Sequence, residues 1–340
     1  MAMATEKSFS FKSISTLATP IRLVLGWQFF SAFLRRVVND PEKLDPSSPA
    51  FMGHAFNHFL PHALFIKPMI EYLITQPHLL YVFLVTFTII EGLVGIGLLL
   101  GLFTRLSAIG ATLLSFGILL GSGWLGSTCV DEWQIGIAGI SSGLVIFSLG
   151  GGLFSLDNMF FKNKNSKLLA YLASNNLKTN ESSFKTEALI FSIIAMFITL
   201  YTYQALHGGL YGKLYNLSKI PKIEILNAHL KKNGELNLTI YRTNGPDTYG
   251  AFIEEIALLD ESGKVVETIK PNNQNLSKSD IKNFYFNKIE PNKFSLVVPL
   301  GAKATINIKP THHISLKNGY YTLELTDVSG LKWSKKINLD

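Results

Sequence analysis

The chain has 340 residues, 47% hydrophobic and only 16% charged, with a formal net charge of +7. Soluble domains carry roughly 25% charged residues, so this composition excludes a wholly water-solvated fold. A single cysteine excludes an internal disulfide, a CxxC redox pair, c-type haem attachment and a cysteine-held iron–sulfur cluster within one chain, and basic residues that bracket apolar runs argue against nucleic-acid binding.

Residues 1–16 are polar and mildly basic and read as a cytoplasmic N-terminus. The first apolar span is Leu17–Val38. Arg35-Arg36 and a Pro/Asp-rich loop follow it instead of a cleavage pattern, so it reads as a retained helix. Further spans lie at His78–Gly101, Arg105–Ser122, Trp133–Gly152 and Thr186–Leu206. Each approaches the roughly 20 apolar residues that cross a hydrocarbon core. Gly97/Gly101, Gly117/Gly121 and Gly139/Gly143 are four apart, a spacing that lets helix backbones approach in lipid.

Lysine and arginine set the expected orientation. Lys7, Lys12, Arg22, Arg105 and the basic linker 153–185 fall on one side and are placed in the cytoplasm. Loop 39–77, the stretch Trp124–Gln134 and residues 207–340 then face outward. Arg35 and Arg36 break this rule. They either snorkel to outer headgroups or form an anion site. In the outer loop, His54, His58 and His62 share one helical face. Pro61 interrupts the row and no carboxylate joins it, so anion contact, proton handling or an interfacial face is expected and metal is not.

After residue 207 the apolar period changes to two. Alternating runs at 223–230, 235–241, 251–259, 265–269, 304–308, 320–326 and 333–339 predict a sandwich of seven or eight strands, immunoglobulin-like in build. Asn216, Asn237 and Asn275 begin glycosylation sequons, in keeping with export of this region. The predicted fold is therefore an all-α membrane bundle of four helices (17–152), a fifth transmembrane helix (186–206) and an exported all-β domain (207–340).

Two places can carry chemistry. Cys129 sits in a polar turn before span four, where a thiolate could meet a sulfur oxyanion. Asp131 and Glu132 beside it suit the N-terminus of that span but oppose a thiolate. Glu91 lies in the middle of span two, where a carboxyl faces the bundle interior and could transfer protons or touch a quinone. Trp27, Gln28, Trp124, Trp133 and Gln134 could line a quinone site or belong to interface belts.

Residues 17–152 resemble the DoxD subunit of thiosulfate:quinone oxidoreductase. The resemblance rests on the four-span layout, the outer loop, Glu91-Gly92 and the run Ser127–Gly136. Residues 186–340 look like its partner DoxA, so the chain resembles a natural fusion of the two. The resemblance implies oxidation of thiosulfate to tetrathionate with electrons passed to a membrane quinone, and the residues themselves lead to the expectation of no metal or haem. On the physical reading the catalytic candidates are Cys129, Glu91, Asp131 and Glu132. The anion candidates are Arg35, Arg36, His54, His58 and His62. The alternatives are a non-catalytic DoxX-like scaffold and a sulfur-compound or quinone carrier serving another redox enzyme. Homo-oligomer formation is left open.

Overall fold

The computed structural model describes residues 11–126, 131–161, 166–173, 181–248, 250–310 and 316–339. Its helices, in chain order, are α1 (Phe11–Thr16), α2 (Thr19–Leu34), α3 (Gly53–Phe59), α4 (Lys67–Thr75), α5 (Pro77–Leu100), α6 (Thr104–Ser122), α7 (Asp131–Leu149), α8 (Leu156–Phe161), α9 (Lys167–Ala173) and α10 (Glu181–His207). The strands are β1 (Lys222–Leu230), β2 (Leu236–Asn244), β3 (Ala251–Leu259), β4 (Val265–Ile269), β5 (Ile281–Asn283), β6 (Glu290–Pro291), β7 (Leu296–Val298), β8 (Lys303–Ile308), β9 (Tyr320–Asp327) and β10 (Lys332–Asn338). These elements form two compact units. One holds the described parts of 11–51, 81–123 and 131–214, the other those of 52–80, 124–126 and 215–339.

Among the described residues, four helices are long and apolar enough to cross a membrane: Pro77–Leu100, Thr104–Ser122, Asp131–Leu149 and Ser183–His207. The expected first span, Leu17–Val38, is helical from residue 19 to 39 in two parts. α2 has 16 residues and passes into a π turn, Arg35–Asn39, where adjacent arginines end the apolar run. α2 and α5 meet through glycine. A Cβ on Gly92 would stand 2.7 Å from the Phe33 ring, and one on Gly95 would strike the Phe30 backbone. Of the three expected glycine pairs, Gly139/Gly143 packs as predicted, with α7 against Ser115 and Thr112 of α6. Gly117 faces open space, and Gly101 ends α5 with a left-handed φ of 64°.

Two arginines used above to orient the chain are buried. Arg22 is 1% exposed and donates to the carbonyls of Leu98 (2.6 Å), Leu99 (3.3 Å) and Phe154 (2.7 Å). It thereby closes the C-terminus of α5, where a cation suits the dipole. Arg105 is 5% exposed and lies over Phe147, 4.8 Å from the ring centroid. Both are packing groups in the protein, which weakens their weight as topology markers. Asp157, 1% exposed, accepts from Phe103 N (2.7 Å), Thr104 N (2.8 Å) and Thr104 Oγ1 (2.7 Å) and so caps α6.

The second unit is built on two antiparallel sheets. One runs β1-β2-β8-β5; the other runs β10-β9-β3-β7-β6, with β4 also paired to β3. Alternation puts Leu238, Ile240, Ile253, Ile306, Leu323 and Leu325 in the shared core, each fully buried. The seven predicted strands are present. β5, β6 and β7 were missed because runs of two or three residues carry no readable period. The outer loop differs more. Residues 52–80 belong to this unit, as short helices against the β-domain, whereas the sequence suggested an interfacial part of the bundle.

Candidate functional site

The first unit brings together two residues that the sequence placed apart. Arg36 Nη1 forms an ion pair with Glu91 Oε2. Glu91 is 3% exposed and the Arg36 side chain 18% exposed. Phe30 and Phe33 pack on Gly95 and Gly92, which brings the end of α2 alongside α5, and the π turn then presents Arg36. Its guanidinium also lies 5.9 Å from the Phe87 ring centroid. Thr88, one turn before Glu91, returns its hydroxyl to Leu84 O at 2.8 Å. Arg35 is exposed.

Depth follows from helix geometry. At 1.5 Å per residue Glu91 stands about 14 Å from Leu100 and about 15 Å from Tyr81, near the middle of the apolar helix. Because α2 passes into the π turn at that level, a charged pair sits where an isolated charge would be costly. Removing one member of such a pair typically costs about 3–5 kcal/mol, since the other is left uncompensated. The pair can hold a proton on Glu91. It can also offer the arginine fork to an anion that competes with the carboxylate.

The remaining candidates of the first unit make other contacts among the described residues. Trp27 is 56% exposed, and Gln28 and Gln134 are exposed. Trp133 Nε1 donates to Thr202 Oγ1 at 3.0 Å and its ring meets Tyr203, so it fastens α10 to α7. Trp124 belongs to the second unit, 1% exposed. The proposed quinone set is therefore divided between units. Asp131, exposed, and Glu132, half-buried, occupy the first turn of α7, as the dipole argument expected. Cys129 lies outside the described residues. An apolar cavity of about 290 Å³ opens between α7 and α10, lined by Ser141, Leu144, Ser148, Ala188 and Phe191 among others, away from the residues singled out by sequence.

In the second unit the three histidines face the β-domain. His54 Nδ1 donates to Asn287 Oδ1 at 2.5 Å, and His62 Nε2 donates to Asn244 Oδ1 at 2.9 Å. The His62 ring stands edge-on to Trp124, whose Nε1 donates to Phe59 O at 3.1 Å. Burial lowers the pKa of His62 and pushes that of His58 down to about 4. Those two are neutral at pH 7 and attract anions weakly, which leaves Arg35 and Arg36 as the stronger anion candidates. Sequence reasoning missed Asn57, 0% exposed at the centre of this seam. The only available signal was a polar side chain inside Phe56-Asn57-His58-Phe59.

Comparison with known proteins divides the chain in sequence order and not by these two units. Among solved structures, the alkylpurine DNA glycosylase AlkC of Pseudomonas fluorescens bound to DNA containing an abasic site analogue aligns over 98% of this chain and 99% of that one. The match has 10% identity and a TM-score of 0.22, which carries no argument. Residues 17–180 match the family of the TQO small subunit DoxD, and residues 206–336 match that of the TQO small subunit DoxA. Both family matches fall in one polypeptide, consistent with a fusion of DoxD and DoxA.

Proposed function

We propose that the protein is a membrane enzyme that oxidises two thiosulfates to tetrathionate and reduces a membrane quinone, taking thiosulfate from the outer face. The observation that carries this reading is the Arg36–Glu91 pair at mid-depth of the bundle, in a chain that matches the DoxD and DoxA families. Arg35 and Arg36 draw in the dianion, and Arg36 exchanges its carboxylate partner for the substrate. Glu91, released from that pair, holds a proton for the quinone.

The sulfur chemistry runs through Cys129. Its thiolate and one thiosulfate join in an S–S bond, and the two electrons removed, with two protons, convert quinone to quinol. A second thiosulfate then attacks the sulfane sulfur, tetrathionate leaves and the thiolate is restored. Asp131 and Glu132 act at the start of α7, where they orient the turn and accept protons. Quinone is a lipid-borne substrate here, with Trp27, Gln28, Trp133 and Gln134 of the first unit as its sequence-based contacts.

The test is purified protein in nanodiscs with thiosulfate and a soluble quinone. Quinone bleaching with one tetrathionate formed per quinol is the expected result. Tight thiosulfate or quinone binding without turnover would replace the enzyme with a scaffold or carrier.

A further inference from the structure

The outer loop and the β-domain share a seam that crosses the boundary between the two family matches. On the DoxD side stand His54, Asn57, His62 and Glu71; on the DoxA side stand Asn244, Tyr285, Asn287 and Gly301. Asn57 is fully buried and engaged at both ends of its amide. Its Nδ2 donates to Gly301 O at 3.1 Å, and its Oδ1 accepts from Asn287 N at 3.0 Å. Asn287 returns a bond from Nδ2 to His54 O at 3.2 Å and receives His54 Nδ1 on its own Oδ1. Gly301 has φ +72°, and a Cβ there would overlap Asn57 O, so the loop approaches α3 backbone to backbone. Tyr285 donates its hydroxyl to Glu71 at 2.5 Å.

A second grip lies beside the first. Gly126 O accepts from Asn216 Nδ2 at 2.8 Å and from Ser218 Oγ at 2.6 Å. Such paired, buried polar bonds resemble the specific core of a subunit interface more than a loop resting on a surface. The covalent connection, by contrast, runs through exposed Leu210, Tyr211 and Leu214, and a Cβ at Gly212 would meet nothing.

We propose that residues 53–75 form a docking element that holds a DoxA-type β-domain noncovalently, so that the covalent link at 208–214 is dispensable for assembly. The partner it fits is a β-sandwich presenting an asparagine in the place of Asn287 and a left-handed glycine in the place of Gly301. Fusion then supplies effective concentration rather than affinity. This inference is independent of the catalytic reading.

The experiment inserts a specific protease sequence at Gly212 of the full-length protein in nanodiscs and cuts it completely. The β-domain is expected to co-elute with the membrane piece on size exclusion. Asn57→Ala, which strands two partners, is expected to weaken retention roughly tenfold for each lost bond. Tyr285→Phe, which removes one hydroxyl and leaves the fold intact, is expected to weaken it less. Lys332→Ala, remote from the seam, is expected to leave it unchanged. Hydrogen exchange of the β3 and β9 amides before cleavage reports whether each variant is folded. Release of the β-domain from the cleaved unsubstituted protein overturns the proposal, and so does full retention in folded Asn57→Ala and Tyr285→Phe.

Discussion

Replacing Arg36 with methionine tests whether the ion pair holds the membrane unit together. Glu91 is 3% exposed and would lose its cation. Breaking such a pair by removing one partner typically costs about 3–5 kcal/mol, because the other is left uncompensated. Glu91→Gln should cost less, about 1–2 kcal/mol, because its amide oxygen still accepts from Arg36 and the arginine stem can carry its charge towards the headgroups. The double variant Arg36→Met with Glu91→Leu should return to within about 1 kcal/mol of the parent, since an apolar pair of similar volume replaces a desolvated ionic one. Unfolding of the nanodisc-embedded protein at pH 7 reads all three. A deficit for Arg36→Met below about 1 kcal/mol, a double variant no better than Arg36→Met alone, or a larger loss for Glu91→Gln, would refute the reasoning.

Three further outcomes are expected. Cys129→Ser should abolish thiosulfate-dependent quinone reduction while the unfolding transition stays in place; undiminished turnover would leave direct transfer between bound thiosulfate and quinone. Gly95→Val should cost about 3 kcal/mol in a melting assay because its side chain meets the Phe30 backbone, whereas Gly117→Ala, in open space, should be neutral or slightly stabilising. His58, held neutral by burial with a pKa of about 4, contributes stability that is fully present above its ordinary 6.5 and is lost as pH falls towards 4. With half-burial that amounts to about 1–3 kcal/mol, and His58→Gln should flatten this acid limb in hydrogen exchange of the β-sheet amides.

Much of the fold was legible because solvent writes period into sequence. Runs without charge marked α5, α6, α7 and α10, and alternation marked β1, β2, β3, β8, β9 and β10. Glu91 stood out for the same reason, a charge inside an apolar run. Its partner did not. Arg36 reaches Glu91 only because Gly92 and Gly95 let α2 pack closely and a π turn redirects the chain, and neither leaves a periodic trace. Arg22 and Arg105 read as surface charges flanking spans, since sequence does not reveal that carbonyls at a helix end or an aromatic face will absorb them. The histidine row was visible as a face, but what it faces is a β-domain more than 180 residues onward, a contact set by Asn287 and Gly301.

The depth of the Arg36–Glu91 pair also bears on bioenergetics. Glu91 lies near the middle of its helix, so a charge arriving from either side crosses about half the transmembrane field. That corresponds to ~1 kcal/mol per elementary charge at 100 mV. If the proposed turnover protonates Glu91 it is electrogenic, and an energised membrane would speed or slow it according to the side from which the proton comes. A reaction confined to the headgroup region would be indifferent to the same voltage.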